Sequence, residues 1–150
     1  MRHWLVVMSE DNWEICAREG LLSLGAGAQR RLYRLSDGDL VWVYINRKYV
    51  DRQLPRIFQM RALAKVTGQT RYLDQSPWKP RDRQTFNYAR PIEVVRQFTF
   101  SAADVLKTMS FVRKPEHWGW YLMNMPVALS DQDVRQLEAA AGLSAEPATL

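Results

Sequence analysis

The sequence contains one cysteine and two histidines among its 150 residues. The single Cys16 cannot form an internal disulfide, and a zinc site requires several cysteine and histidine ligands. Because Cys16 lies on the apolar side of a short predicted helix, we expect a buried structural thiol rather than a nucleophile. His117 is a candidate base, but the spacing places no acidic residue where it would orient the imidazole. The sequence therefore disfavours metal chemistry and acid–base catalysis.

Long hydrophobic runs and phosphate-binding glycine loops are absent as well. The longest apolar runs are short, such as LVWVYI at 40–45, whereas spanning a bilayer takes about 20 residues. The first residues lack the apolar stretch and cleavage site of a signal peptide. The segment GLLSLGAG at 20–27 has neither the G-x-G-x-x-G spacing nor a following Lys-Ser/Thr. We expect a soluble cytoplasmic protein with no membrane partner and no cofactor.

Positive charge is in excess and unevenly distributed. The chain has 21 Lys and Arg against 16 Asp and Glu, a formal net charge of +5. Basic clusters attract polyanions, above all nucleic acid, although a merely solvated basic surface would look the same in the sequence. The clustered residues that we predict as phosphate contacts are Arg30, Arg31, Arg34, Lys79, Arg81 and Arg83.

Hydrophobic periodicity predicts an α+β fold. The apolar run at 40–45 has apolar residues on both faces, so this strand is expected to be covered on both sides. We expect one domain over 1–143, a flexible tail over 144–150, and a mostly antiparallel sheet curled into a small barrel with flanking helices. Strands are predicted at 3–8, 40–45, 57–68 and 85–97, and helices at 9–20, 101–109 and 129–142.

Capping residues mark the predicted helix ends. Trp13, Cys16 and Ala17 share the expected inner face of the first helix, and Gly20 is expected to end it. Polar and acidic residues three positions apart indicate the helix starts. The predicted pairs are Asp11 with Glu14, Ser101 with Asp104, and Ser130 with Asp133.

Six tryptophans are available for packing or for binding an aromatic ligand. Trp13 and Trp42 are predicted to be core residues. Trp78 lies in a polar, proline-flanked loop, SPWKPRDR, without apolar neighbours, and is predicted to contact a ligand. In PEHWGWYLMN at 115–124, an extended backbone would put Trp118 and Trp120 on one face. At least one of these two tryptophans is expected to pack in the core.

Three segments together resemble the EVE domain. HWLVVMSEDNWEICAREG (3–20) is similar to its first strand and helix. LSDGDLVWVYI (35–45) is similar to its Gly-Asp turn and strand, and FVRKPEHWGWYLMNMPVALSDQD (111–133) to its closing segment. EVE domains belong to the PUA-like group and are related to YTH domains. The resemblance implies a curled β-barrel with a pocket for a single modified base, read from DNA or RNA.

The resemblance also implies particular pocket residues. YTH relatives hold a methylated adenine between aromatic side chains, and many EVE domains supply one such wall from a Gly-Val-Trp-like step. Here that step is Gly20-Leu21-Leu22, so Leu22 stands at the tryptophan position, and the walls become Trp78 with Trp118 or Trp120. The pocket could equally take an unmodified or bulkier base. The implied pocket residues are Asn12, Leu22, Ser23, Trp78, Trp118 and Trp120, with Asn12 and the backbone near Ser23 reading the base edge.

These patterns favour a non-catalytic, monomeric module that reads a modified nucleobase in DNA or RNA. One alternative is a nucleobase-modifying enzyme of the PUA-like group, with His117 or Cys16 as the reactive residue. A second alternative is a protein-interaction domain on which the basic patch is incidental.

Overall fold

A computed structural model describes residues 1–25, 27–80 and 85–143. The predicted phosphate contacts at Arg81 and Arg83 and the predicted tail at 144–150 lie outside these ranges. None of the helices within them combines the length and the apolar character needed to cross a membrane.

Within the described residues, seven strands form a curled half-barrel sheet, which confirms the predicted α+β fold. The order is β2-β6-β4-β3-β1-β7, and β5 pairs with β6 outside this order. β1 and β3 run parallel, and the other pairs are antiparallel. The strands are β1 (His3–Ser9), β2 (Leu21–Leu22), β3 (Leu40–Arg47), β4 (Arg56–Val66), β5 (Arg71–Tyr72), β6 (Tyr88–Ser101) and β7 (Val127–Ala128).

Three α-helices and two 3-10 helices complete the described fold. The α-helices are α1 (Glu10–Glu19), α2 (Ala103–Leu106) and α3 (Asp131–Ala140). The 3-10 helices are Gln29–Arg34 and Pro115–Leu122.

Helix α1 begins two residues earlier than the capping pair predicted. Its N-cap is Ser9, whose Oγ accepts a hydrogen bond from the Asn12 amide nitrogen at 3.4 Å. The prediction that Asp11 caps the helix is wrong, because Asp11 lies in the first turn and its carboxylate accepts from the Val50 amide nitrogen instead. Gly20 ends the helix in the left-handed conformation, at a φ of 68°, as predicted.

The buried face of α1 is rotated from the predicted one. Trp13 and Cys16 are buried, as expected, but Ala17 is exposed. Asn12 is buried in its place, at 3% exposure. The buried face is therefore formed by Asn12, Trp13 and Cys16. The polar side-chain amide of Asn12 lies against the core and requires hydrogen-bond partners there.

Of the predicted caps of the other two α-helices, one is wrong and one is confirmed. The prediction that Ser101 caps α2 is wrong: α2 begins after Ala102, which makes no side-chain cap bond. Ser101 is still paired with Gln59 in the sheet, so the β6 ladder takes the residue that the helix would need. At α3 the predicted pair forms a complete capping box, in which Ser130 and Asp133 each accept from the other's backbone.

The segment PEHWGWYLMN is helical rather than extended. Residues Pro115–Leu122 form a 3-10 helix with a kink at His117, so the predicted alternation of Trp118 and Trp120 is wrong. A 3-10 helix has three residues per turn, and side chains three positions apart therefore eclipse each other. His117 and Trp120 accordingly stack, whereas Trp118 points elsewhere.

Two hydrophobic clusters cover the two faces of the sheet. One contains Trp13, Cys16 and Val43, and the other contains Trp42 and Leu137. Alternate residues of β3 enter the two clusters, which confirms that this strand is covered on both sides. Trp13 and Trp42 are core residues as predicted, at 7% and 0% exposure.

Candidate nucleic-acid interface

A cavity of about 760 Å³ lies at one end of the parallel strand pair. Because β1 and β3 are parallel neighbours, their carboxyl ends meet at the same edge, and Ser9 and Arg47 from these ends both line the cavity. The start of α1 and the 3-10 helix Pro115–Leu122 supply further walls. The volume falls within the range of about 300–1,000 Å³ that is usual for small-molecule sites.

Aromatic rings form one wall and the rim of the cavity. Trp118 is half-buried and meets Tyr44 edge-on, with ring centroids 6.0 Å apart, and Phe58 at 6.3 Å. Trp120 is 68% exposed and stacks on His117, with centroids 4.1 Å apart and planes 11° from parallel. The Trp118 indole is therefore partly covered inside the cavity, and the stacked pair of His117 and Trp120 is open at its rim. Both surfaces are suited to planar ligands.

The charged residues around the cavity are mostly cationic. Arg31, Arg47 and Arg56 line it, and Glu116 is the one acidic side chain among the described lining residues. The exposed guanidinium of Arg56 lies over the Phe58 ring, 5.5 Å from its centroid. This balance favours anionic or neutral ligands over cationic ones.

Arg31 and Arg34, two of the predicted phosphate contacts, donate to the backbone of the rim. Arg31 donates to the carbonyl oxygens of Met125 at 2.8 Å and Met123 at 3.2 Å. Arg34 donates to those of Asn124 at 2.9 Å and Pro126 at 3.1 Å. Four consecutive carbonyl groups are thus held by two arginines, whose positions in the 3-10 helix Gln29–Arg34 are one turn apart.

Arg30 and Lys79, the other predicted phosphate contacts that the structure describes, are exposed and do not line the cavity. The Lys79 side chain is 59% exposed, and its Nζ lies 3.5 Å from a carboxylate oxygen of Asp11. Both cations therefore lie on the surface outside the cavity.

Asn12 and Ser23 line the cavity, but their polar atoms already have partners. Asn12 Oδ1 accepts from the Lys79 amide nitrogen at 3.1 Å, and its Nδ2 donates to the Lys79 carbonyl at 3.3 Å. Ser23 Oγ donates to the Tyr88 carbonyl at 2.7 Å. Their observed contacts hold a loop and a strand in place, and reading a base edge would require breaking them.

Leu22 and Trp78 do not line the cavity; both are core residues. Leu22 is 0% and Trp78 3% exposed. The prediction that Trp78 lacks apolar neighbours is wrong, because its ring packs in the cluster that contains Trp13, and its Nε1 donates to Sγ of Cys16 at 3.1 Å. The two hydrogen bonds from the Asn12 side chain to the backbone of Lys79, the residue after Trp78, hold the loop in a position from which the indole reaches the core.

Cys16 is completely buried, and its environment keeps it protonated. Burial raises the pKa of the thiol to about 11, although the hydrogen bonds that reach the sulfur oppose this. A thiol in this state supplies almost no thiolate near neutral pH. Within 1–25, 27–80 and 85–143, no group of three His, Cys, Asp or Glu side chains is placed to hold a metal ion.

Sequence reasoning missed several residues that line the cavity, above all Tyr44 and Asn46 on β3. Tyr44 lies in an apolar run, which is typical of a core residue, and it is indeed buried, at 2% exposure. Burial raises the pKa of its phenol, and the nearby Arg56 lowers it less. The only sequence signal was a polar Asn46 two positions further along the same strand.

The sequence matches no family model and no curated protein. Its fold matches solved structures, among them protein Atu2648 of Agrobacterium tumefaciens, with a TM-score of 0.61 and 14% identity over 100% of this chain and 99% of that one. The complex of the YTH domain-containing protein mmi1 with RNA gives a TM-score of 0.61 and 10% identity, covering 93% of this chain and 80% of that one.

A third match is the YTH domain of Zygosaccharomyces rouxii MRB1, solved with N6-methyladenosine RNA. Its TM-score is 0.53 and its identity 12%, and the match spans 72% of this chain and 66% of that chain, just under two thirds. At these identities the likeness concerns the fold. The chain has the YTH-like, PUA-like fold, as the curled half-barrel sheet indicates.

Proposed function

We propose that this chain is a nucleic-acid-binding module that takes one modified nucleobase into the cavity at the ends of β1 and β3. The observation that carries the proposal is the half-buried ring of Trp118 inside a cavity whose charged lining is mostly arginine. The complexes of YTH domains with RNA that share this fold support it. Membership of the EVE domains belongs to the same proposal and is supported by the order of the three matching segments.

Binding combines stacking of the base with contacts to the flanking phosphates. A base enters such a cavity only when it is unpaired, either in a single strand or flipped out of a duplex. Trp118 then offers a ring to the base, and the exposed stack of Trp120 on His117 offers a platform at the rim. Arg56, Arg30 and Lys79 are exposed cations that can meet the flanking phosphates.

The module binds without chemical turnover. Cys16 is enclosed in the core and protonated, so it is not an available nucleophile. His117 stacks on Trp120, and no carboxylate of the described residues bonds to it and would orient it as a base. The proposal has the module act as a monomer, which light scattering after size-exclusion chromatography would test.

The experiment is a binding titration with short single-stranded RNA and DNA that differ only in one central nucleotide. The panel contains adenosine, N6-methyladenosine, cytidine and 5-methylcytidine at that position. Trp118→Ala and Trp120→Ala are each expected to weaken the preferred oligonucleotide by about 1–3 kcal/mol, the stacking contribution of one base. Tyr33→Ala is the matched control, because this aromatic is 76% exposed and does not line the cavity.

Two outcomes would replace the proposal with an alternative. Equal and weak binding of the whole panel, insensitive to both tryptophan substitutions, would leave a protein-interaction domain. Conversion of a modified nucleoside, detected by mass analysis after incubation with the chain, would make it an enzyme.

A further inference from the structure

Tyr44 carries a hydroxyl group without a hydrogen-bond partner at the wall of the cavity. The side chain is 2% exposed and lines the cavity, and within the described residues its hydroxyl makes no hydrogen bond. No fully enclosed side-chain oxygen or nitrogen of the described residues lacks a partner. The small exposed part of Tyr44 must therefore include this hydroxyl, which opens onto the cavity.

Among the described residues, the side chain of Asn46 on the same strand also makes no hydrogen bond. Along β1 and β3, Met8 pairs with Ile45 and Ser9 with Arg47, so Asn46 is an extra residue in the ladder. The register against β4 is irregular at the same place. Such bulges re-aim a side chain, and here Asn46 and its neighbour Arg47 both line the cavity, although a regular strand would point them to opposite faces.

Asn12 and Ser23 also line the cavity, and their polar side-chain atoms are already engaged. The Asn12 amide is bonded to both backbone groups of Lys79, and Ser23 Oγ donates to Tyr88. The hydroxyl of Tyr44 and the amide of Asn46 can each donate and accept. They are thus the pair on β3 that can meet a ligand without breaking a bond within the protein.

We propose that Tyr44 and Asn46 read the hydrogen-bonding edge of the bound base and that they select an uncharged base. This inference rests on the proposed function and names its specificity-determining residues. Both groups are neutral, so neither compensates a positive charge on the ring. The charged lining also disfavours a positively charged base, because it contains three arginines, Arg31, Arg47 and Arg56, and one exposed glutamate, Glu116.

The test uses a short single-stranded RNA with a central adenosine, N6-methyladenosine, cytidine, 5-methylcytidine, 1-methyladenosine or abasic site. 1-Methyladenosine carries a positive charge, and the abasic strand measures contacts to the backbone alone. Tyr44→Phe and Asn46→Ala are each expected to lower the affinity of the best-bound base about threefold to tenfold, the contribution of one hydrogen bond. Neither should change the affinity of the abasic strand, and the wild-type chain should bind 1-methyladenosine more weakly than adenosine.

Matched controls are Tyr33→Phe and Gln97→Ala, which remove a phenol hydroxyl and a carboxamide from exposed positions that do not line this cavity. Thermal unfolding of each variant verifies that it is folded, and Tyr44→Phe keeps the buried ring. If Tyr44→Phe and Asn46→Ala both bind like the wild type while Trp118→Ala loses base-dependent affinity, the inference fails and the proposed function stands. Binding of 1-methyladenosine as tightly as adenosine also overturns it. If no base binds better than the abasic site, the proposed function fails as well.

Discussion

Nε1 of Trp78 lies 3.1 Å from Sγ of Cys16, so a loop tryptophan and a helix cysteine share a hydrogen bond inside the core. The bond joins the segment before Lys79 to the middle of α1. It also gives the buried indole nitrogen a hydrogen-bond partner. Leaving such a donor buried without a partner would cost about 1–3 kcal/mol. This pair explains why a residue in a proline-flanked loop is part of the scaffold.

Trp78 should therefore contribute to stability and not to binding. Trp78→Phe is expected to lower the free energy of unfolding by about 0.5–3 kcal/mol, through lost volume and the lost bond to Cys16. The affinity of the folded fraction for oligonucleotides should stay at the wild-type value. Urea unfolding and binding titrations measure the two effects. Trp120→Phe, at a 68% exposed position, is the control and should change stability by less than about 0.5 kcal/mol. A stable Trp78→Phe protein that binds poorly would return Trp78 to the binding site.

Asn12 should act as a clamp on the loop that contains Lys79. Asn12→Ala leaves two backbone groups of Lys79 without their partners, so we expect a loss of about 1–3 kcal/mol in the free energy of unfolding. Hydrogen exchange of the Lys79 amide should become faster than in the wild type. Asn124→Ala, at an exposed position, is the control for removal of an amide side chain. Unchanged exchange at Lys79 would show that the clamp does not hold the loop.

His3 should make stability depend on pH. Burial lowers the pKa of His3 below its ordinary 6.5, although Glu138, Asp131 and Asp39 oppose this. Its Nδ1 accepts from Trp42 Nε1 at 3.1 Å, a bond that requires an unprotonated Nδ1. The unfolded chain therefore takes up the proton more readily than the folded chain, so the free energy of unfolding should fall as the pH drops below about 6.5.

The pH effect is measured by urea unfolding between about pH 5 and 7, above the range where buried carboxylates contribute. In His3→Gln the slope of stability against pH over this window should be smaller than in the wild type. An identical slope in both proteins would assign the pH dependence to other groups.

Arg56 and Arg31 should affect nucleic-acid binding in different ways. Arg56 is exposed, and Arg56→Gln is expected to reduce the slope of log affinity against log salt by about 0.7, the value for one phosphate of a single strand. Arg31→Gln removes bonds to the carbonyls of Met123 and Met125, so it should weaken binding without changing the slope. Arg135→Gln on α3 is the control for charge alone. Equal slopes for all three variants would contradict a phosphate contact at Arg56.

Local patterns predicted local structure well. The capping box of Ser130 and Asp133, the left-handed Gly20 and the two covered faces of β3 all follow from residues close in sequence. The N-cap at Ser101 failed for a physical reason that sequence spacing does not contain. Ser101 is held in the sheet by Gln59, a strand partner far along the chain.

The cavity was harder to predict because its lining depends on register and on helix type. Arg47 lines the cavity beside Asn46 because of a bulge that exists only relative to β1 and β4. Trp120 meets His117 because their segment is a 3-10 helix, and short aromatic stretches show no periodicity that separates this helix from a strand. Of the six residues predicted for the pocket, the structure brings four to one cavity: Asn12, Ser23, Trp118 and Trp120.

The contacts of Arg31 and Arg34 bear on how fast a ligand can be captured. Because these two side chains hold the carbonyls of residues 123–126, the rim is ordered before any ligand arrives. The entropy cost of fixing that segment is incurred during folding, which leaves less to be lost on association. A preorganised rim of this kind should allow an unpaired base to bind in a single kinetic phase, at a rate that depends on charge and salt concentration.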